Sequence, residues 1–149
     1  MYFWRTGQLA SDIKLKGIGE AEKKNYYLAA TIVTLASIFI LSLSAQKNTY
    51  AALLEFVCII TISIIGITIT FATNKGNDGI DYIGRIVSLS FPLTIKIVLF
   101  GFIFGFFAGF FSAITKNAAF LPWSLSLFTV VIQAWYFWRL NVHLKFINA

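Results

Sequence analysis

Four stretches of the chain are almost free of charge, and the polar residues are bunched between them. The runs are 26–44, 50–73, a longer one within 86–114, and 120–140. Each reaches or approaches the ~20 apolar residues a helix needs to cross ~30 Å of hydrocarbon. Inside lipid such a segment must be helical, because lipid offers no partner to a free N–H or C=O. The pattern predicts an all-α membrane protein with four transmembrane helices in one domain, 1–149. Residues 1–25 precede the first span and 141–149 follow the last.

The third run is longer than a span requires. Taken whole, it places Lys96 near mid-membrane, at a cost of ~3 kcal/mol or more. Pro92 offers a break. Asn77-Asp78-Gly79 reads as a turn, after which Ile80, Ile83, Val87 and Phe91 recur at helical spacing. Asp81 and Arg85 lie four apart on the wetter side, placed for an ion pair. The expectation is a short amphipathic interfacial helix at about 80–91, a bend at Pro92, and a third span at 93–114. Lys96 then lies one turn inside and snorkels to the headgroups. One long kinked helix is the alternative.

The basic residues set the expected orientation. Arg5, Lys14, Lys16, Lys23 and Lys24 precede the first span; Lys75, Arg85 and Lys96 follow the second; Arg139 and Lys145 close the chain. The opposite side holds Lys47 and Lys116 alone. That excess marks the cytoplasmic side and predicts a bacterial-type inner membrane protein with both termini cytoplasmic. Tyr26, Tyr27, Trp135, Tyr136 and Trp138 form one aromatic belt, and Tyr50 and Trp123 the other. The opening polar stretch does not read as a cleaved signal peptide. Glu20 and Glu22 suit the first turn of a helix that starts before the membrane, with Lys24 four residues after Glu20. The aromatic start, "MYFW", reads either as a headgroup anchor or as an unstructured end.

Composition agrees with the pattern. The chain is 58% hydrophobic and 12% charged, where a soluble domain carries about 25% charged residues. Its net charge of +6 is scattered at helix ends. That favours membrane lipids as counter-ions, with Arg85, Lys96 and Arg139 at the interface, over nucleic acid. The single cysteine, Cys58, lies in an apolar run and reads as inert. His143, the sole histidine, has no Cys, Asp or Glu beside it, so no metal site is expected. No Ser/His/acid set, phosphate loop or cofactor motif is present, and Asp78 and Asp81 read as capping residues. No catalytic residue, and hence no enzyme, is expected.

Two features remain. "GFIFGFFAG" places Gly101, Gly105 and Gly109 every fourth residue, with Ala113 continuing the strip. Glycine costs a helix about 1 kcal/mol relative to alanine. In lipid, however, small residues let two backbones approach, and that drives helix association. This glycine zipper is the expected interface between identical subunits, the alternative being packing against another helix of the same subunit. The first two spans carry small-residue strips of their own: Ala30, Thr34, Ser37 and Ser44 on one, and Glu55, Ile59, Ser63, Gly66, Thr70 and Thr73 on the other. At 100° per residue the second set shares a narrow arc, so Glu55 points where Ser63 and Thr70 point. An intramembrane acid is a functional candidate by default; the alternative is a shallow glutamate that reaches the outer interface, toward Lys47 or Lys116. Gln133, with Ser126 and Val130 on its face, is the matching polar position of the last span.

The resulting expectation is a non-enzymatic, homo-oligomeric inner-membrane anchor or sensor, of an envelope-stress or phage-defence kind, acting through a cytoplasmic protein partner. The alternatives are an ion-conducting pore lined by the polar strip, or a small proton-coupled transporter using Glu55. A four-span layout selects none of these by itself.

Overall fold

The computed structural model describes residues 2, 4–19, 22–23, 25–30, 33–34, 48–117 and 119–149. Among the described residues, four helices are placed from end to end: α1 (Thr6–Lys16), α2 (Thr49–Thr73), α3 (Tyr82–Thr115) and α4 (Phe120–Asn148). A single 3-10 turn, Gly76–Asp78, sits between α2 and α3, and no strand occurs among the described residues. α2, α3 and α4 are each long and apolar enough to cross a membrane, as expected of a multi-pass membrane protein. Of the expected first span, 26–44, residues 26–30, 33 and 34 are helical, while 31, 32 and 35–44 lie outside the described residues. Ser37, Ser44, Glu20, Lys24 and Lys47 also lie outside them.

Local signals set the helix ends. Asn48 caps α2, its side chain accepting from the N–H groups of Tyr50 and Ala51 at 3.0 and 3.2 Å. Asp81 caps α3, accepting from Gly84 N–H at 3.3 Å. The turn joining α2 to α3 is closed tightly on Gly79. A Cβ added there would overlap the Asn74 carbonyl oxygen, so only glycine fits.

α4 is the central element, and α1, α2 and α3 all pack on it. Its partners on α2 rise in step with it: Glu55 meets Ser126, Ser63 meets Gln133, and Thr73 meets Asn141. α2 and α4 therefore run parallel. Its partners on α3 run the other way, Phe111 meeting Phe120, Phe104 meeting Phe128, and Ser90 meeting Tyr136.

The proline does not divide the third segment. The expected interfacial helix at about 80–91 and the span at 93–114 are one helix, α3, which runs through Pro92 from Tyr82 to Thr115. Interior proline costs a helix ~3 kcal/mol, because the N–H bond to the carbonyl four residues back is lost. Leu89, Phe91, Pro92 and Leu93 are all buried. Leu89, Phe91 and Leu93, on both sides of the proline, belong to the same buried cluster. Burying a leucine or phenylalanine away from water contributes about 1.5–3 kcal/mol, so three of them outweigh the lost bond. The expected apolar face is also split, since Ile80 and Ile83 are exposed while Phe91 is buried.

The buried core lies at one end of the bundle. There α1 lays Leu9, Ala10 and Ile13 against Leu89 and Leu93 of α3 and Leu140, Leu144 and Ile147 of α4, with Tyr26 inside the same cluster. We call this end the collar. The sequence pattern does not predict α1, which is amphipathic only over these few positions. Lys14 and Lys16 stand in its last turn, where they favour the negative end of the helix dipole. Lys14 Nζ donates to the Phe146 carbonyl at 3.2 Å. The aromatic start of the chain is tied down as well: Tyr2 N–H donates to the Tyr26 hydroxyl at 2.7 Å, and the Tyr2 hydroxyl donates to Asp12 at 2.5 Å. That bond to a carboxylate holds the Tyr2 phenol above its usual pKa. At the opposite end the large side chains face outward, Phe106 being 71% and Leu127 67% exposed.

Candidate functional site

The polar arc of α2 meets the polar face of α4 along one seam. Ser126 Oγ donates to Glu55 Oε2 at 2.8 Å. Two turns further, Gln133 Nε2 donates to Ser63 Oγ at 3.1 Å. Gly66 follows, and the Phe137 ring sits so close that a Cβ added to Gly66 would overlap it. Thr70, buried, shares a 2.9 Å hydrogen bond with the Tyr82 hydroxyl and donates back to the Gly66 carbonyl at 2.8 Å. Thr73 Oγ1 donates to Asn141 Oδ1 at 2.6 Å. The spacing explains the alignment. Residues seven or eight apart return to nearly the same helix face, so 55 and 63 on α2 run beside 126 and 133 on α4.

At its collar end the seam closes on Arg85. Its Nη1 donates to Asn74 Oδ1 and to Asn148 Oδ1, both at 2.9 Å, and Asn148 Nδ2 donates to the Thr73 carbonyl at 3.1 Å. One guanidinium thus ties the ends of α2 and α4 to the start of α3. This replaces the expected Asp81–Arg85 ion pair: Asp81 pairs instead with Lys23 at 2.5 Å. Sequence reasoning missed Asn74, Asn141 and Asn148. Asn74 and Asn148 lie at helix ends, where an amide side chain can reach a neighbour's backbone or guanidinium, whereas Asn141 lies within α4 and accepts from the Thr73 hydroxyl.

The other interfacial cations are also held by protein. Lys96 Nζ donates to the Thr6 hydroxyl at 3.1 Å and lies 5.3 Å from the centre of the Trp4 ring. The ammonium of Lys96 thus reaches the start of α1. Arg139 stands over Trp138 at 5.7 Å. His143 is buried, and its Nε2 has no hydrogen-bond partner among the described residues. The same holds for Ser88 Oγ, one helical turn before Pro92. No three His, Cys, Asp or Glu side chains converge among the described residues.

The glycine strip of α3 has different surroundings from Gly66. A Cβ added to Gly105 or Gly109 meets nothing within 4 Å, and one on Gly101 meets only the edge of Phe128 at 3.8 Å. Ala113 is exposed, like Phe110 and Phe111 beside it. Gly105 and Gly109 are half-buried, with room for a Cβ at each among the described residues, and lie between exposed Phe102, Phe106 and Phe110.

Beside Glu55, at the end of the bundle away from the collar, α2 and α4 part to form a cleft of about 550 Å³. Glu55, Ser124 and Ser126 supply polar atoms to a wall otherwise made by Leu54, Phe120 and Trp123. Geometry and chemistry alone speak for this site, because no protein-family model, curated protein or solved structure matches the chain.

Proposed function

We propose that this chain is a non-enzymatic, homo-oligomeric membrane protein whose copies dock through the glycine strip of α3. Gly105 and Gly109, where an added Cβ would meet nothing within 4 Å, carry the proposal. Within a bilayer, apolar side chains gain little by leaving lipid for protein, whereas close backbone approach does favour association. The subunit already has one such approach, Gly66 against Phe137, and does not use the strip for another among its described residues. The proposed site is the inner membrane, with the collar on the cytoplasmic side, where ten of the twelve basic residues fall. There the exposed face of α1 is available to a cytoplasmic protein, so that assembly in the membrane reports to, or anchors, that partner.

The pore reading loses its main support, because Ser63, Thr70 and Thr73 of the polar strip are all hydrogen-bonded within the subunit. Disulfide trapping in membranes tests the proposal. In a Cys58→Ser background, Gly105→Cys should give a cross-linked dimer on oxidation, and Phe107→Cys on another face of the helix should give far less. Equal trapping at both positions, or none at Gly105, would remove the strip as an interface.

A further inference from the structure

The cleft at the far end of the α2–α4 seam has the composition of a ligand site. Its volume of about 550 Å³ lies within the roughly 300–1,000 Å³ of small-molecule pockets. Its walls are Leu54, Cys58, Phe120, Trp123 and Leu127, with the Glu55 carboxylate set among them. Glu55 lies six residues after the start of α2, which places it ~9 Å along the helix axis at 1.5 Å per residue. There Glu55 is half-buried, and it lines the cleft among apolar side chains.

The protein gives Glu55 little counter-charge. Oε2 accepts from the Ser126 hydroxyl at 2.8 Å. No cation is paired with Glu55 among the described residues, and Lys116 at the end of α3 is exposed and forms no ion pair with it. Ser126 therefore orients the carboxylate without neutralising it. Trp123 adds an indole, the aromatic ring that attracts a cation most strongly. An anion would meet the carboxylate, and a small hydrated metal ion would find one acidic ligand and apolar walls.

We infer that this cleft binds an amphiphilic organic cation, its positive centre on Glu55 and its apolar body against Trp123, Phe120 and Leu54. Charge complementarity chooses the occupant. The inference does not depend on whether copies of the chain associate, because every residue of the cleft comes from one subunit.

Tetraphenylphosphonium and tetraphenylborate test it, being alike in shape and opposite in charge. The purified full chain in nanodiscs should bind labelled tetraphenylphosphonium saturably, one per chain, and should not bind tetraphenylborate saturably. Glu55→Gln should weaken phosphonium binding by about tenfold or more, a difference of ~1.4 kcal/mol. Glu55→Asp, which keeps the charge, should retain most of it. Trp123→Leu should weaken binding by roughly two- to fivefold, as loss of an exposed cation–π contact implies. Helix content and elution volume identical to wild type qualify each variant for comparison. Equal binding of both ions, or unchanged binding in Glu55→Gln, would overturn the inference, since either means adsorption to an apolar surface. Binding that emerges only in Lys47→Gln would also overturn it, because the chain's own lysine would then be the occupant.

Discussion

The two ends of this bundle bury their apolar residues in different ways. At the collar, Leu89, Leu93, Leu140 and Leu144 are wholly enclosed by three helices. At the far end, Phe106, Phe107, Phe110 and Leu127 are each more than 60% exposed. The first arrangement is a protein core. The second suits hydrocarbon as the solvent, where an exposed phenylalanine carries no penalty. The comparison teaches that apolar content alone does not locate the packing in such a chain. Cohesion comes from the collar and from the polar seam, while at the far end the seam joins α2 to α4 and the Phe104–Phe128 and Phe111–Phe120 ring pairs join α3 to α4.

The sharpest way to break this comparison is to truncate one side chain at each end. Leu144→Ala should destabilise the protein by about 2–5 kcal/mol, the range for a buried leucine in a packed core. Phe107→Ala should cost about 0.5 kcal/mol, as for an exposed side chain outside the core whose one ring contact is with its neighbour Phe106. Denaturant titration of the detergent-solubilised protein, followed by circular dichroism, reads both. Equal losses would mean the far end is packed after all.

Next in size is the contrast between the two kinds of glycine. Gly66→Ala forces a methyl group into the Phe137 ring and should cost about 1–3 kcal/mol, as overpacking does. Gly105→Ala places its methyl in open space and should leave the isolated subunit unharmed or raise its stability by up to ~1 kcal/mol through helix propensity. If Gly105→Ala proved the more damaging in monomeric protein, the assignment of close approach to Gly66 would fail. The smallest effect belongs to a single rung of the seam. A double-mutant cycle on Ser63 and Gln133, each changed to alanine, should give a coupling of ~0.6 kcal/mol, the average for interhelical bonds in membranes. A coupling near zero would make that rung incidental.

How much of this was legible in the sequence follows from the range of each cause. The spans at 50–73 and 120–140 reflect continuous apolar runs, so α2 and α4 appear where expected, although α4 continues to Asn148. The polar arc of α2 was legible because helix periodicity alone aligns Glu55, Ser63, Thr70 and Thr73. Gln133 and Ser126 stood out as polar positions on one face, and the structure brings both to that arc. α1 was missed because its buried face comprises only Thr6, Leu9, Ala10 and Ile13, too few to signal a helix without their partners on α3 and α4. The continuity of α3 through Pro92 matches the alternative reading, one long helix, and not the preferred one. A local rule favours a break at proline, and burial on both sides of it supports a single helix. Gly66 drew little notice because one glycine has no period, whereas Gly101, Gly105 and Gly109 do. A repeat of small residues shows that close approach is permitted, and only the fold shows whether the chain itself has taken it up.

The measurement that most directly tests the central claim is the protein mass of the detergent-solubilised particle, taken by light scattering with refractive-index and absorbance detection. Wild type should contain more than one chain per particle. Gly105→Leu should contain a single chain, with helix content and thermal midpoint unchanged. A single chain in both, or the same assembly in both, would contradict docking through the glycine strip.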